Sequence, residues 1–169
     1  LLDQVLAALD YIHSRGLVHQ DLKPQNIRIS GQEGAARVKL IDFGLARATG
    51  AESQELSGTL EYLAPEILKG EPSTARSDLY SLGILLHEIF LGQPPFHGKK
   101  MEELIRGHLE GVGVDPRSLP QEYRELTMRL LEKDPANRPR AAEEVRRELP
   151  GARERTLHSL PAFSPVFVG

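Results

Sequence analysis

The amino-acid sequence predicts a mainly α-helical fold that carries one small β-hairpin sheet. Apolar residues recur at helical spacing in six separate segments of the 169 residues. Strand-like alternation of apolar and polar residues is confined to one stretch, residues 27–43. With 40% hydrophobic residues, a chain of this length can bury roughly two-thirds of its unfolded surface, which predicts one domain.

The first third of the chain predicts one helix followed by the hairpin. The helix extends from Leu1 to Ile12, because its apolar residues repeat with helical period, and Gly16 ends it. Two short strands follow on either side of a turn region at residues 31–34. Residues 46–60 are small and polar without a period, which predicts a loop. The apolar strand positions are Ile27, Ile29, Val38, Leu40 and Phe43.

The rest of the chain predicts five more helices. The second of these is nearly all apolar, which places it in the centre of the domain. Ser118 with Gln121 predicts a capping box for the fourth. The predicted helices are Ala64–Lys69, Arg76–Leu91, Lys99–His108, Gln121–Glu132 and Arg140–Leu149.

Composition excludes several classes of protein. The net charge is -3 with acidic and basic residues interspersed, so we expect no nucleic-acid partner. The absence of cysteine excludes disulfides and thiolate metal sites. The longest apolar stretch, Leu79–Leu91, is shorter than the roughly 20 residues that span a bilayer, so we expect no membrane segment. No secretion signal is present, which favours a cytoplasmic location, and an opening on Leu1 favours an excerpt from a longer protein.

Two short segments combine residues suited to phosphate and metal chemistry. The first is His19-Gln20-Asp21-Leu22-Lys23-Pro24-Gln25-Asn26, and the second is Ile41-Asp42-Phe43-Gly44. Asp21, Asn26 and Asp42 offer hard oxygen ligands or a proton acceptor, and Lys23 can neutralise transferred charge. Residues 27–41 separate Asn26 from Asp42, which is enough for a two-stranded hairpin to bring both ends together.

The order and spacing of these segments resemble the catalytic loop and the metal-binding loop of the protein kinase family. The Asp-Leu-Lys-Pro sequence is similar to the serine/threonine branch. The resemblance implies transfer of the terminal phosphoryl group of ATP to a Ser or Thr hydroxyl of a protein substrate. It implies Asp21 as base, Lys23 as charge stabiliser, and Asn26 and Asp42 as ligands of Mg²⁺. His19, Phe43 and Gly44 would then be structural members of the two loops.

Further matches extend the resemblance along the chain. Thr59, which precedes Tyr62-Leu63-Ala64-Pro65-Glu66, resembles the threonine that positions the peptide substrate. Glu66 and Arg138 match the family's buried ion pair, and Asp78 matches the helix residue that braces the catalytic loop.

The resemblance covers residues 1–149 and corresponds to the C-terminal lobe of the kinase fold. No Gly-x-Gly-x-x-Gly occurs and no lysine precedes Lys23, so the nucleotide-covering N-terminal lobe is expected elsewhere in the full protein, and the isolated fragment is expected to be inactive. Residues 150–169 are expected to form a linker. Its final Phe167-Val168-Gly169 resembles the opening of an ATPase domain that follows the kinase domain in some large bacterial signalling kinases.

Two residues depart from the family pattern. Gln20 replaces the usual arginine that receives a phosphate from the activation segment, so we predict activity independent of phosphorylation at Thr49, Ser53 or Ser57. Arg28 occupies the position beneath the adenine ring, where it could stack on the base or block the pocket. Arg28 and the missing lobe keep a non-catalytic pseudokinase or interaction module open as the alternative function.

Other polar residues carry weaker predictions. Glu61 and Glu102 could favour basic peptides, but exposed acids of this kind are usually solvated surface. Four histidines show no metal-ligand spacing and are interpreted as surface or packing residues without a functional role. They are His13, His87, His97 and His108.

Overall fold

A computed structural model gives the fold and describes residues 1–32, 35–42, 60–111 and 113–150. These residues form helices and one two-stranded antiparallel sheet, which confirms the predicted fold class. None of the helices in this part of the chain is long and apolar enough to cross a bilayer. In chain order the elements are α1 (Leu2–His13), β1 (Ile27–Ser30), β2 (Arg37–Leu40), α2 (Pro65–Leu68), α3 (Ala75–Leu91), α4 (Met101–Glu110), α5 (Gln121–Leu130) and α6 (Ala142–Glu148).

The long apolar helix α3 lies in the centre, as the sequence predicts. All of its residues from 77 to 87 are buried, because a helix that is apolar nearly all round has no face suited to solvent. On one side α3 shares a core with α1, β2, α5 and α6. On the other side it shares a second apolar cluster with α4 and the segment before α2. The helix therefore joins the part of the molecule that contains the hairpin to the part that contains α4.

Local hydrogen bonding and backbone conformation determine where α3 begins and ends. The Thr74 backbone N–H donates to Ser77 Oγ at 3.0 Å, which satisfies a donor that the first helical turn would leave open. At the other end, Gly92 adopts φ 81°, the left-handed conformation that favours glycine.

The helix α3 packs closely against α5 because Gly83 has no side chain. A Cβ at Gly83 would lie 2.9 Å from Leu130 Cβ.

The hairpin pairs β1 with β2 and packs on α1 through β2. Ile27 lies opposite Leu40, and Ile29 lies opposite Val38. The alternation puts both isoleucines on one face, yet only Ile27 packs against the core and Ile29 is 58% exposed. The physical reason is that α1 covers β2, so the sheet is buried at Val38 and Leu40 and left open over the outer strand β1.

One side chain fixes the contact between α1 and the hairpin. Gln4 Nε2 donates to the Ala36 carbonyl at 2.9 Å, and Gln4 Oε1 accepts from the Val38 backbone N–H at 2.8 Å. These are a donor and an acceptor on the edge of β2 that faces away from β1. The amide of Gln4 therefore bonds to the strand as a neighbouring peptide group would.

The predicted capping box at Ser118 is wrong. The helix α5 begins at Gln121 after Pro120, which has no side-chain hydrogen bond to the helix. Ser118 belongs to a separate 3-10 turn, Pro116–Ser118, in which its Oγ donates to the Asp115 carbonyl at 2.6 Å. The local turn takes the hydroxyl because Asp115 and Pro116 together favour chain reversal before the helix starts.

Candidate active site

The loop between α1 and β1 gathers polar side chains around Asp21. Asp21 Oδ2 lies 2.9 Å from Lys23 Nζ and accepts from Asn26 Nδ2 at 2.8 Å. Asn26 Nδ2 also donates to the Asp21 carbonyl at 2.8 Å. A 3-10 turn over Pro24–Asn26 produces this contact, because it reverses the chain and the Asn26 N–H closes it on the Lys23 carbonyl at 3.0 Å. Asp21, Lys23 and Asn26 are thus one connected cluster.

Burial differs within this cluster. Asn26 is buried, whereas the side chains of Asp21 and Lys23 are half-buried. Both of these hydrogen bonds use the nitrogen of the Asn26 side chain, so its oxygen Oδ1 is the atom suited to a further partner. The buried amide of Asn26 therefore fixes the direction of the Asp21 carboxylate and leaves that carboxylate partly exposed to solvent.

Asp78 holds the same loop from the interior. It lies in the first turns of α3, is buried, and accepts three hydrogen bonds. The donors are the His19 backbone N–H at 2.7 Å, the Gln20 backbone N–H at 2.9 Å and His13 Nε2 at 2.8 Å. Gln20 has φ 69°, a conformation that non-glycine residues adopt rarely. The two hydrogen bonds from backbone N–H groups to Asp78 stabilise this turn immediately before Asp21.

His19 is a buried imidazole beside several carboxylates. Burial lowers the pKa of His19, and the negative charges of Asp78, Asp21 and Asp42 oppose that shift without reversing it. The backbone of Ile41 faces the same ring. His19 therefore stays neutral at pH 7 and packs beside the backbone of the second segment.

A backbone hydrogen bond brings the second segment to the first. The Ile41 N–H donates to the Asn26 carbonyl at 3.0 Å, so Asp42, the next residue, leaves the hairpin at the end where Asn26 enters it. Asp42 is exposed and has φ 56°, the left-handed region that aspartate tolerates better than most residues. The hairpin therefore does bring Asn26 and Asp42 to the same end of the sheet.

Asn26 and Asp42 carry oxygen atoms of the type that Mg²⁺ prefers. One amide oxygen and one exposed carboxylate are a small ligand set, and Mg²⁺ is held by few protein ligands because it keeps waters and takes the rest from phosphate. Among the described residues, no group of three or more His, Cys, Asp or Glu side chains could enclose a metal ion. Asn26 and Asp42 alone would leave most positions around such an ion to water or to another ligand.

Glu66 and Arg138 form a bidentate buried pair behind the site. Arg138 Nη1 and Nη2 donate to the two carboxylate oxygens of Glu66 at 2.7 and 2.8 Å. Ser77 Oγ donates to Glu66 as well, at 2.8 Å. Burial alone would raise the pKa of Glu66, but the hydrogen bonds from Arg138 and Ser77 outweigh it and hold the pKa below its ordinary value. The pair connects α2, α3 and the turn before α6.

Several predicted residues lie outside the part of the chain that the structure describes. They are Phe43 and Gly44 of the second segment, the peptide-positioning Thr59, the loop residues Thr49, Ser53 and Ser57, and residues 151–169 of the predicted linker. Their roles stay predictions.

The four histidines that the sequence assigns to the surface or to packing include both kinds. His97 is exposed, but His13, His87 and His108 are largely buried and each makes a hydrogen bond. His13 contacts Asp78, and the available signal was its position four residues after Leu9, on the buried face of α1. A similar signal was available for the other two, since His108 lies four residues after the buried Leu104 on α4 and His87 lies in the nearly all-apolar α3.

Comparison with known proteins gives consistent matches. The protein kinase domain family matches residues 1–149. A probable serine/threonine-protein kinase PknB of Bifidobacterium longum is 37% identical over 172 residues, which cover 96% of this chain and 24% of that protein. The serine/threonine-protein kinase PknB of Mycolicibacterium smegmatis is 39% identical over 152 residues, 84% of this chain and 24% of that protein.

A plant protein matches at similar identity. The serine/threonine-protein kinase TIO of Arabidopsis thaliana is 38% identical over 138 residues, which cover 80% of this chain and 10% of that protein. The chain thus spans about a quarter or less of the length of these curated relatives.

Proposed function

Because this chain belongs to the serine/threonine protein kinase family, we propose that it supplies the catalytic half of an enzyme that phosphorylates protein hydroxyls. Kinases of this family act on proteins and generally use ATP with Mg²⁺. The observation that carries the proposal is the connected cluster of Asp21, Lys23 and Asn26, with Asp42 beside it.

Each residue of the cluster has a distinct chemical task. Asp21 accepts or orients the proton of the substrate hydroxyl, because its carboxylate is accessible while Asn26 holds it in place. Lys23 stabilises negative charge beside Asp21. Asn26 and Asp42 offer the oxygens that would hold Mg²⁺. When bound, the ATP–Mg²⁺ complex supplies the phosphoryl group and offsets its charge.

We infer that turnover requires residues beyond this chain. Phosphoryl transfer depends mainly on positioning and electrostatic stabilisation, so a nucleotide that is covered from one side only is poorly positioned. The glycine-rich loop and phosphate-pairing lysine that the family uses are absent from these 169 residues. The proposed enzyme therefore consists of this C-terminal lobe with an N-terminal lobe from the same full-length protein.

The test replaces Asp21→Asn in the full-length protein and measures transfer of labelled phosphate from ATP to a generic protein substrate. We expect a loss of at least a hundredfold, since the amide cannot accept the hydroxyl proton. The matched control is Asp10→Asn on α1, which removes a carboxylate outside the cluster and should leave transfer unchanged. Undiminished transfer in Asp21→Asn would overturn the assignment of Asp21.

A non-catalytic interaction module is the second candidate, and Arg28 favours it. Arg28 is exposed on β1 and lies directly opposite Lys39, so two cations face each other where the family has an apolar floor for adenine. If this arrangement blocks the base, the wild-type full-length protein will neither bind an ATP analogue nor transfer phosphate, and Arg28→Leu will restore nucleotide binding. Binding by the wild type at the level of Arg28→Leu would exclude this candidate.

A further inference from the structure

The two strands of the hairpin carry cations that have no acidic partner within the part of the chain that the structure describes. Strands β1 and β2 contain Arg28, Arg37 and Lys39 and no acidic residue, although the net charge of the whole chain is -3. All three residues are exposed, and none of them belongs to an ion pair among the described residues. The one acid of the hairpin, Glu33, lies in the turn, outside the described residues.

The strand register places the three cations on one side of the sheet. Arg28 lies directly opposite Lys39, and Arg37 is two residues before Lys39 on the same strand. Successive side chains of a strand point to opposite faces, so all three lie on the face opposite to Val38 and Leu40. Val38 and Leu40 pack in the core with α1. The three cations therefore form an outer surface, which we call the cationic face.

The hairpin holds these charges close together. Directly opposite residues of an antiparallel pair have Cβ atoms about 5 Å apart, and like charges at such positions are destabilising. Gln4 ties β2 to α1 through hydrogen bonds of 2.9 and 2.8 Å, so the strand is fixed in its position. An anion that contacts Arg28 and Lys39 together would offset their repulsion. A carboxylate suits this position because the guanidinium of arginine can bind it with two hydrogen bonds.

The location of the cationic face indicates which part of the protein covers it. Strand β1 begins directly after Asn26, and β2 ends two residues before Asp42. The face therefore starts at the end of the hairpin that contains the candidate active site. Under the proposed function Arg28 lies beneath the nucleotide, and the N-terminal lobe covers the nucleotide from the same side. That lobe is the first large surface that the cationic face would meet.

We propose that the cationic face docks an acidic segment of the N-terminal lobe of the same full-length protein. This inference rests on the proposed function for the existence of that lobe, and it adds the contact by which the two lobes are joined. Asp or Glu carboxylates of the segment bind Arg28 and Lys39 and neutralise the repulsion between them. The ion pairs gain strength where the docked lobe excludes water, because opposite charges attract more strongly in a medium of lower dielectric constant.

Carbodiimide cross-linking of the full-length protein tests this contact. The reagent joins a lysine amine to a carboxylate in contact with it, so Lys39 should form an amide with an Asp or Glu of the N-terminal lobe, identified by mass spectrometry. Arg28→Gln removes the cation opposite Lys39 and should lower the yield about threefold. The matched control is Arg106→Gln, since Arg106 is an exposed arginine on α4, and it should leave the yield unchanged. A cross-link from Lys39 to Glu33 or to a second copy of the protein would overturn the proposal.

The rate of lysine acetylation gives a second measurement that requires neither a cross-link nor catalysis. Lys39 and Lys100 are both exposed in this chain, so a docked lobe should slow acetylation of Lys39 alone. Raising the salt from about 0.1 M to about 1 M shortens the Debye length from about 10 Å to about 3 Å and should speed acetylation of Lys39 at least about twofold. Acetylation of Lys100 should change little.

The two measurements separate this contact from the proposed function. A full-length protein that transfers no phosphate, yet shows the cross-link, contradicts the proposed function and supports the docking. An active protein without the cross-link, in which salt does not change the acetylation of Lys39, overturns the docking alone. Slow acetylation of Lys39 without a cross-link would also overturn it, since the segment that covers the face would not be acidic.

Discussion

Glu66 and Asp78 are both buried carboxylates, but their hydrogen-bond partners are of different kinds. Glu66 bonds to the guanidinium of Arg138 and to the hydroxyl of Ser77. Asp78, the residue after Ser77, bonds to two backbone N–H groups and to one histidine. The partners of Glu66 are therefore side chains, whereas most partners of Asp78 belong to the main chain.

This difference determines whether a second substitution can restore the stability that a first one removes. The charges of a buried ion pair can be removed together by apolar replacement at little cost. Arg138 also donates to the carbonyls of Arg76, Glu132 and Lys133, so its replacement takes one donor from each of these oxygens. Backbone N–H groups cannot be removed by substitution. The loss of Asp78 therefore leaves the N–H groups of His19 and Gln20 without their acceptor, and no second mutation can remove these donors. We conclude that the Glu66–Arg138 pair mainly stabilises the fold, while Asp78 determines the shape of one loop.

The largest effect is expected from Arg138→Met. This change leaves Glu66 buried without its cation and should lower the free energy of unfolding by about 3–5 kcal/mol, measured by urea denaturation. The double variant Glu66→Leu with Arg138→Met removes both charges and should recover part of that loss, since the carbonyls of Arg76, Glu132 and Lys133 still lack the Arg138 donor. A double variant as unstable as Arg138→Met would contradict the view that this pair is replaceable.

A smaller loss of stability is expected from Asp78→Asn. The amide keeps one acceptor oxygen and loses the other, which should cost about 1–3 kcal/mol in the free energy of unfolding and reduce phosphate transfer more than tenfold. Adding His13→Leu removes the one side-chain donor and should restore neither quantity, since the peptide donors remain. Recovery of wild-type stability in that double variant would show that His13 was the partner that mattered.

The pH dependence of stability should report on Glu66. Its pKa is lower in the folded state than in the unfolded chain, so its contribution is fully present above the unfolded value and is lost as the pH falls through the folded one. We expect the acid side of a stability profile to flatten in Glu66→Gln by at most about 1.4 kcal/mol per pH unit. The check is urea denaturation of both proteins at several pH values from neutral to about 3. Parallel profiles would contradict the assignment.

The smallest effect is expected from the triple variant with alanine at Thr49, Ser53 and Ser57. Gln20 cannot bind a phosphate with a charge-assisted bidentate contact, and Asp78 already holds its backbone from the interior. Turnover of the full-length protein should therefore change less than about twofold, measured as initial rate with labelled ATP. A large loss of turnover in a variant with normal thermal stability would show that an activation-segment phosphate has another receptor.

Most of the fold was predictable because the signals are local. The helical periods of α1 and α3 depend on residues within each element, and both helices lie within one or two residues of their predicted bounds. Ser118 was misassigned because a turn that begins at Asp115 competes for its hydroxyl. The exposure of Ile29 was not predictable from alternation, since it depends on which strand α1 covers.

The residues of the candidate site were predictable from the sequence, but some of the contacts around them were not. The order of Asp21, Lys23, Asn26 and Asp42 along the chain identified the segments, because this chemistry requires those residue types at a fixed spacing. The contact of His13 with Asp78 and the contact of His108 with Tyr80 were not predicted. These pairs are separated by 65 and 28 residues, so helical spacing can indicate that each histidine is buried but not which distant residue it contacts.

The hydrogen bonds of the Gln4 amide affect whether the outer edge of β2 can pair with a strand of another molecule. A two-stranded sheet leaves the outer edge of each strand able to pair with a foreign strand, which is a common beginning of aggregation. Gln4 occupies the Val38 donor and the Ala36 acceptor on the outer edge of β2. An incoming strand would have to displace a side chain that the rigid helix α1 supports. A single glutamine thus protects the sheet against misassembly at the edge where no third strand pairs among the described residues.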